Sequence, residues 1–237
     1  MSGLVLRKDE GAIVTLTLNR PEKLNALSPE LFLELRAHVD EIASMGDSVR
    51  CVILRGAGRS FCAGADIEAL RAGVTMAEPE FRSETLERIG ALQPVKIAAV
   101  HGHCFTGGLE LALTADIIIA SEDAKFCDTH ARLGILPRWG LSARLPRRIG
   151  PAAAKRISLT TEPLDAPEAL RIGLCDYVAQ QTEFEEFVHR TAAKVARLTP
   201  SCALGVRHLY EHSLTVPLAE ALAYERAYSK PPAPQMD

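Results

Sequence analysis

Glu110 is an informative charge because its neighbours do not suit a surface residue. It stands in Gly107-Gly108-Leu109-Glu110-Leu111-Ala112-Leu113, so an apolar turn of helix carries a carboxylate. Burial there would raise its pKa into a range useful for acid/base work, whereas the positive end of the helix would lower it. The local residues leave two readings open: a proton-transfer group, or a first-turn glutamate that complements the helix dipole. Two glycine-bearing segments could supply the rest of a site. They are Gly56-Ala57-Gly58-Arg59-Ser60-Phe61-Cys62-Ala63-Gly64-Ala65-Asp66-Ile67 and Gly102-His103-Cys104-Phe105-Thr106-Gly107-Gly108-Leu109-Glu110. Each follows a short apolar run and leads to a helix start, where unpaired backbone N–H groups can face a negatively charged oxygen. Set against one another they could form an oxyanion hole; taken singly, each reads equally well as a tight turn.

Nucleotide chemistry fits neither segment. Gly56-Ala57-Gly58 opens like a dinucleotide fingerprint, but Phe61 occupies the place that needs a small residue for helix packing. Gly102 and Gly107 have the interval of a phosphate-binding loop, yet Gly108 and Leu109 stand where lysine and a hydroxyl residue would hold phosphate and magnesium.

The elements that must position these segments follow from periodicity. Val14, Leu16 and Leu18 alternate with Thr15, Thr17 and Asn19 as in a half-buried strand, and Ser28-Pro29-Glu30 starts a helix whose face is Leu31, Leu35, Val39 and Ile42. The apolar runs 51–54, 97–100 and 117–120 read as strands buried in an α/β core. Beyond about residue 140 the chain reads as helices, at 141–149, 151–159, 165–171, 184–198, 201–213 and 217–228. Residues 1–195 are expected to form the core and 196–237 a helical extension within one functional unit, with a proline-rich tail from Lys230 that frays.

Composition narrows the classes. The 237 residues are 47% hydrophobic and 24% charged, enough for one α/β domain with a full core. A net charge of −3 with scattered Lys and Arg leaves no footprint for nucleic acid. Cys51, Cys62, Cys104, Cys127, Cys175 and Cys202 show no spacing for zinc or a disulfide framework and read as reduced thiols, so no metal is expected. No apolar run approaches a membrane span and the N-terminus lacks a signal-peptide core, which predicts a cytoplasmic protein with no membrane partner.

Taken together, Cys62-Ala63-Gly64-Ala65-Asp66-Ile67 and Thr106-Gly107-Gly108-Leu109-Glu110-Leu111-Ala112, continued by Ala115-Asp116, resemble the enoyl-CoA hydratase/isomerase (crotonase) family. Leu18-Asn19-Arg20-Pro21-Glu22-Lys23-Leu24-Asn25-Ala26-Leu27 resembles the family's opening, so the likeness spans roughly residues 5 to 210. The resemblance implies an α/β fold, a crotonase-like spiral of strand-strand-helix units with a helical C-terminal trimerisation region, assembling as a homotrimer or a dimer of trimers. It implies the backbone N–H groups of Ala65 and Gly107 as an oxyanion hole for a thioester, and Ala63, Ala65, Ile67 and Gly107 along acyl-CoA. CoA thioester is then the substrate, and no cofactor is required. Asp66 reads as a helix cap.

The departures from the family pattern bear on the reaction. Hydratases of the family carry two glutamates; Glu110 matches the first, but where the second is expected this sequence has Thr129-His130 within Phe126-Cys127-Asp128-Thr129-His130-Ala131-Arg132-Leu133-Gly134. His130 could supply acid/base function or only shape the pocket. Asp128, two residues away, is expected on another face if the stretch is extended. His101 and His103 are set aside as structural. Arg138-Trp139 stands where relatives have small residues, and Trp139 could narrow the acyl pocket or pack as core. The short C-terminus departs from the family's further helix. Glu110 and His130 are thus the candidate acid/base pair for adding water to a 2-enoyl-CoA. An isomerase, hydrolase or decarboxylase using one carboxylate is the alternative, and a non-catalytic acyl-CoA-binding protein is the alternative of another class.

Overall fold

The computed structural model describes residues 3–72, 76 and 78–228, and the chain winds through them in repeated coils. Each coil lays one strand in a large sheet, places a short extended piece in a second layer, and then enters helix. The first coil is β1 (Val5–Glu10) and β2 (Ile13–Leu18), followed by an isolated bridge at Leu27 and α1 (Pro29–Ser44). Ser28 caps α1 by accepting the Leu31 N–H at 3.3 Å, Pro29 takes the first turn where no N–H is needed, and Leu31, Leu35, Val39 and Ile42 are buried. The second coil is β3 (Cys51–Gly56), bridges at Cys62 and Ala65, then α2 (Ile67–Arg71) and α3 (Phe81–Ala91). The third is β4 (Val95–Val100), β5 (His103–Phe105) and α4 (Gly107–Ala112). The fourth is β6 (Ile117–Ser121), β7 (Lys125–Cys127), α5 (Leu141–Ile149) and α6 (Pro151–Thr160). β8 (Leu164–Asp165), α7 (Ala166–Arg171), β9 (Tyr177–Ala179), α8 (Phe184–Ala196), α9 (Pro200–Ser213) and α10 (Leu218–Ala227) complete it.

The large sheet has the order β1-β2-β3-β4-β6-β9, parallel except for β1, and the second layer has the order β5-β7-β8. This is the expected spiral of strand-strand-helix units. Both faces of the central strands are covered, so their side chains divide by parity. Val52, Leu54, Ala98, Val100, Ile118 and Ala120 face the main core, which also buries Phe32, Phe61, Leu109 and Phe126. Cys51, Ile53, Ile97, Ala99 and Ile119 face α8, which supplies Phe184, Val188, Ala192 and Val195. Thr15 differs from the half-buried expectation: it is buried as well, because the sheet has no solvent face there.

The strands read at 14–18, 51–54, 97–100 and 117–120 lie inside β2, β3, β4 and β6, and the six later helices fall within a few residues of their expected bounds. β1, α3 and the two- or three-residue strands of the second layer had no expectation. The expected fraying from Lys230 falls outside the described residues. Among the described residues no helix is long and apolar enough to cross a membrane, and all six cysteines are free thiols, five of them buried.

One buried ionic cluster ties the C-terminal helices to this spiral. Lys96 in β4 is fully buried, with Nζ 3.0 Å from Asp116 Oδ2 and donating to the Leu92 carbonyl at 3.2 Å. Asp116 also accepts the Lys96 backbone N–H at 2.7 Å and pairs with Arg207 of α9 at 2.9 Å. Burial, more than the pull of Asp116, holds the Lys96 ammonium down at about 8. A lysine lowered in the fold gains stability as pH rises from that value toward its unfolded pKa, so the pair taxes the fold at neutral pH. Removing only the anion strands the buried ammonium. Asp116→Ala is therefore expected to lose roughly 3 kcal/mol in urea unfolding at pH 7, and adding Lys96→Met is expected to recover much of it.

Candidate active site

The two glycine segments meet through backbone hydrogen bonds. Phe61 N–H donates to the His101 carbonyl at 2.8 Å, Cys62 N–H to the His103 carbonyl at 2.9 Å, and Phe105 N–H to the Cys62 carbonyl at 3.0 Å. His101 Nε2 lies 3.0 Å from the Gly58 carbonyl and His103 Nδ1 lies 3.0 Å from Ser60 Oγ, so both set-aside histidines join the loops. At Ala65 the bridge to Leu27 uses the Gly64 carbonyl and the Asp66 N–H, which turns the Ala65 N–H the other way. Among the described residues neither the Ala65 nor the Gly107 N–H has an acceptor. The two groups are close: a Cβ on Gly107 would stand 3.3 Å from Ala65 N, and one on Gly64 would stand 3.4 Å from Gly107 N. Two free donors converging on one point are what a developing oxyanion requires.

Backbone strain holds this convergence. Gly64 has φ +106, which a glycine adopts without penalty, but Thr106, immediately before α4, has φ +50 and ψ −108. Thr106 is kept there by three bonds to the β7 segment: its N–H donates to the Cys127 carbonyl at 2.8 Å, its Oγ1 accepts the Thr129 N–H at 3.2 Å, and the two threonine hydroxyls lie 2.5 Å apart.

Glu110, on the fourth residue of α4, is 1% exposed. Its Oε1 accepts the Trp139 N–H at 2.9 Å and the Leu141 N–H at 3.2 Å, so the start of α5 fixes one carboxylate oxygen. Oε2 faces His130 Nε2 at 3.8 Å. Burial raises the Glu110 carboxyl above its ordinary range against the opposing pull of the Trp139 N–H, the His130 charge and the Leu141 N–H. The competition posed by the sequence is thus decided for burial. Trp139 packs as core on one side and meets the glycine turn on the other: its indole lies edge-on against Phe32 at 5.1 Å between centroids, and it is so close to Gly107 that a Cβ there would come 2.5 Å from the ring.

These groups line one cavity of about 570 Å³. Ala63, Ala65, Ile67, Gly107, Glu110 and His130, all six candidate residues, are on its wall, together with Trp139, Arg82 and Arg138. Asp66 faces elsewhere as a cap, its Oδ1 accepting the Glu68 and Ala69 N–H groups at 3.1 Å and its Oδ2 pairing with Arg20 at 2.9 Å. Cys62 lies beneath the loops, and burial pushes its thiol up to about 12, so it stays protonated rather than acting as a nucleophile.

Asp128 corrects the expectation. It does not point to another face: residues two apart share a face even in extended chain, and here the chain turns, His130 adopting φ −53 and ψ −52, so that Asp128 Oδ1 lies 2.6 Å from His130 Nδ1 while accepting the His130 N–H at 3.0 Å. The signal for this was an Asp two residues before a His, the spacing of an Asx-turn. The anchoring of Glu110 by Trp139 and Leu141 is carried by backbone N–H groups and leaves no mark on residue type.

Two outcomes follow. A methyl group at Gly107 must displace the indole and crowd the Ala65 N–H, so Gly107→Ala is expected to lose at least about 100-fold in turnover while its melting temperature stays within a few degrees. A carboxyl raised in the fold contributes most to stability below its unfolded pKa and loses that contribution as pH rises through the folded value. Glu110→Gln is therefore expected to melt at or above the wild-type temperature at pH 8, with the advantage disappearing near pH 4 in parallel thermal scans.

Comparison with known proteins agrees with this geometry. The family model for enoyl-CoA hydratase/isomerase matches residues 8–235. A short-chain-enoyl-CoA hydratase of Clostridium acetobutylicum is 34% identical over 229 residues, covering 95% of this chain and 87% of that protein. A crotonyl-CoA hydratase of Syntrophomonas wolfei is 36% identical over 198 residues, covering 81% and 75%. The crystal structure of an enoyl-CoA hydratase from Bacillus anthracis superposes with a TM-score of 0.87 at 33% identity, covering 94% of this chain and 88% of that one. The chain belongs to the enoyl-CoA hydratase/isomerase family.

Proposed function

We infer that this protein is an enoyl-CoA hydratase, adding water reversibly across the double bond of a 2-enoyl-CoA. The observation that carries this reading is the pairing of a buried carboxylate and an imidazole 3.8 Å apart, on the same cavity as two free N–H donors. The thioester oxygen would sit between Ala65 and Gly107, with the acyl-CoA passing Ala63 and Ile67. As the water oxygen bonds to Cβ, Glu110 takes the water proton. The π electrons pass to Cα and the carbonyl oxygen, where the two N–H groups stabilise the enolate, and His130 Nε2 delivers the proton to Cα. The chemistry requires no cofactor, since the CoA thioester is the substrate.

The same reading extends to assembly. Tyr210 of α9, Leu214 just after it and Leu218 of α10 are each at least 70% exposed, and exposed apolar residues of this kind suit self-association into a homotrimer or a dimer of trimers. A cytoplasmic setting goes with the six free thiols.

Purified protein incubated with 2-enoyl-CoAs of graded length in deuterated water is expected to give 3-hydroxyacyl-CoA carrying label at Cα. Accumulation of 3-enoyl-CoA without hydrated product would replace hydration by isomerisation, and binding without either would leave only a binding protein. Glu110→Gln is expected to bind ligand while losing turnover by at least about 1,000-fold. Sedimentation is expected to give three or six times the chain mass of 25.7 kDa, and Leu214→Glu with Leu218→Glu is expected to shift it toward one.

A further inference from the structure

The proton cycle above leaves Asp128 unused, yet it is 1% exposed and in direct contact with His130. Its Oδ1 takes two bonds from one residue, the His130 N–H at 3.0 Å and the ring Nδ1 at 2.6 Å. The first alone would suffice for an Asx-turn; the second fixes the side chain. Burial works to raise the Asp128 carboxyl, but the hydrogen bonds from His130 and Ser158 outweigh it and hold the group below the usual carboxylate range. An ionised carboxylate only accepts, so the nitrogen facing it must carry a proton. That leaves Nε2 as the atom of the ring able to exchange a proton, and Nε2 is the atom facing Glu110 Oε2.

We propose that Asp128 is a positioning residue that locks His130 in the Nδ1–H tautomer, aims Nε2 at Glu110 and the acyl group, and stabilises the imidazolium formed when Nε2 is protonated. This rests on the reading of His130 as the proton donor to Cα. The cycle then closes on the protein's own groups. The imidazolium gives its Nε2 proton to Cα while Glu110 receives the proton of water, and neutral His130 keeps Nδ1–H on Asp128. Return of the proton from Glu110 Oε2 to Nε2 restores the starting state, and an approach of about 1 Å brings that 3.8 Å pair into hydrogen-bond range. No other acid, base or co-reactant is consumed. The geometry also accounts for the side of the ring that faces away from substrate: Asp128 and His130 both line a second cavity, between α5 and α6, so Asp128 approaches His130 from behind.

The test combines a spectrum with a kinetic cycle. In protein carrying nitrogen-15 histidine, the His130 signals, identified by their loss in His130→Gln, are expected to show Nδ1 protonated and Nε2 bare when the ring is neutral; Asp128→Asn is expected to abolish that preference. A bare Nδ1 in the wild type overturns the proposal, and this measurement needs no folded variant of Asp128. In hydration assays Asp128→Asn is expected to lower kcat about 100-fold with KM within threefold, since it acts on proton transfer and not on acyl-CoA binding. His130→Gln is expected to lose at least as much, and the double variant no more than His130→Gln, because Asp128 acts through the imidazole. Losses that multiply in the double variant, or a normal kcat for Asp128→Asn beside an impaired His130→Gln, overturn the proposal alone. Normal turnover by His130→Gln overturns the reading of His130 as proton donor, and the proposal with it.

Discussion

Two backbone N–H groups at the start of α5 hold one oxygen of Glu110, and much of the site depends on that contact. A carboxylate in an apolar turn is costly to bury without partners, and Trp139 and Leu141 supply them at 2.9 and 3.2 Å. The bond draws the segment before α5 down onto the N-terminus of α4. Trp139 is then carried over Gly107, where only a residue without a Cβ fits, and its far edge meets Phe32 of α1. Three coils of the spiral thus meet at Trp139, and the remaining Glu110 oxygen is left facing His130.

A second constraint runs through the backbone. The donors of Ala65 and Gly107 are free because the chain spends its local hydrogen bonds elsewhere: Ala65 lies in a bridge whose bonds belong to its neighbours, and Gly107 opens a helix. Thr106, at φ +50, is the sharpest point of the turn between β5 and α4. Its bonds to Cys127 and Thr129 make the strain tolerable and also register the second glycine segment against the strand that ends at the Asp128–His130 turn. The two free N–H donors and the Glu110–His130 pair therefore share one mechanical origin.

What could be read in the sequence was what local pattern encodes. The runs at 51–54, 97–100 and 117–120 are strands because both faces of a parallel sheet are covered, and the late helices announce themselves through proline starts and periodic apolar faces. Glu110 stood out as a charge in an apolar turn, whereas Ala65 and Gly107 were singled out within the glycine segments only through the family resemblance. The strands of the second layer were illegible: two or three residues cannot show a period, and their pairing is between coils distant in sequence. Asp128 was misjudged for another reason: residues two apart share a face of an extended chain, so extension gave no ground for separating it from His130, and the turn at His130 then brings the carboxylate onto the ring.

The exchange of a second glutamate for His130 alters the electrostatics of the site. Two carboxylates a few ångström apart cannot both ionise, so such a pair must share a proton by repulsion. Glu110 and His130 attract when both are charged, and that attraction works against burial, which favours the neutral carboxyl. Burial and the pull of the imidazole thus act on the Glu110 proton in opposite senses. Asp128 meets the other side of the ring, its carboxylate 2.6 Å from Nδ1. A reaction that runs in both directions needs groups able to give and to take a proton, and here burial and charge act in opposite senses on one carboxyl within one cavity wall.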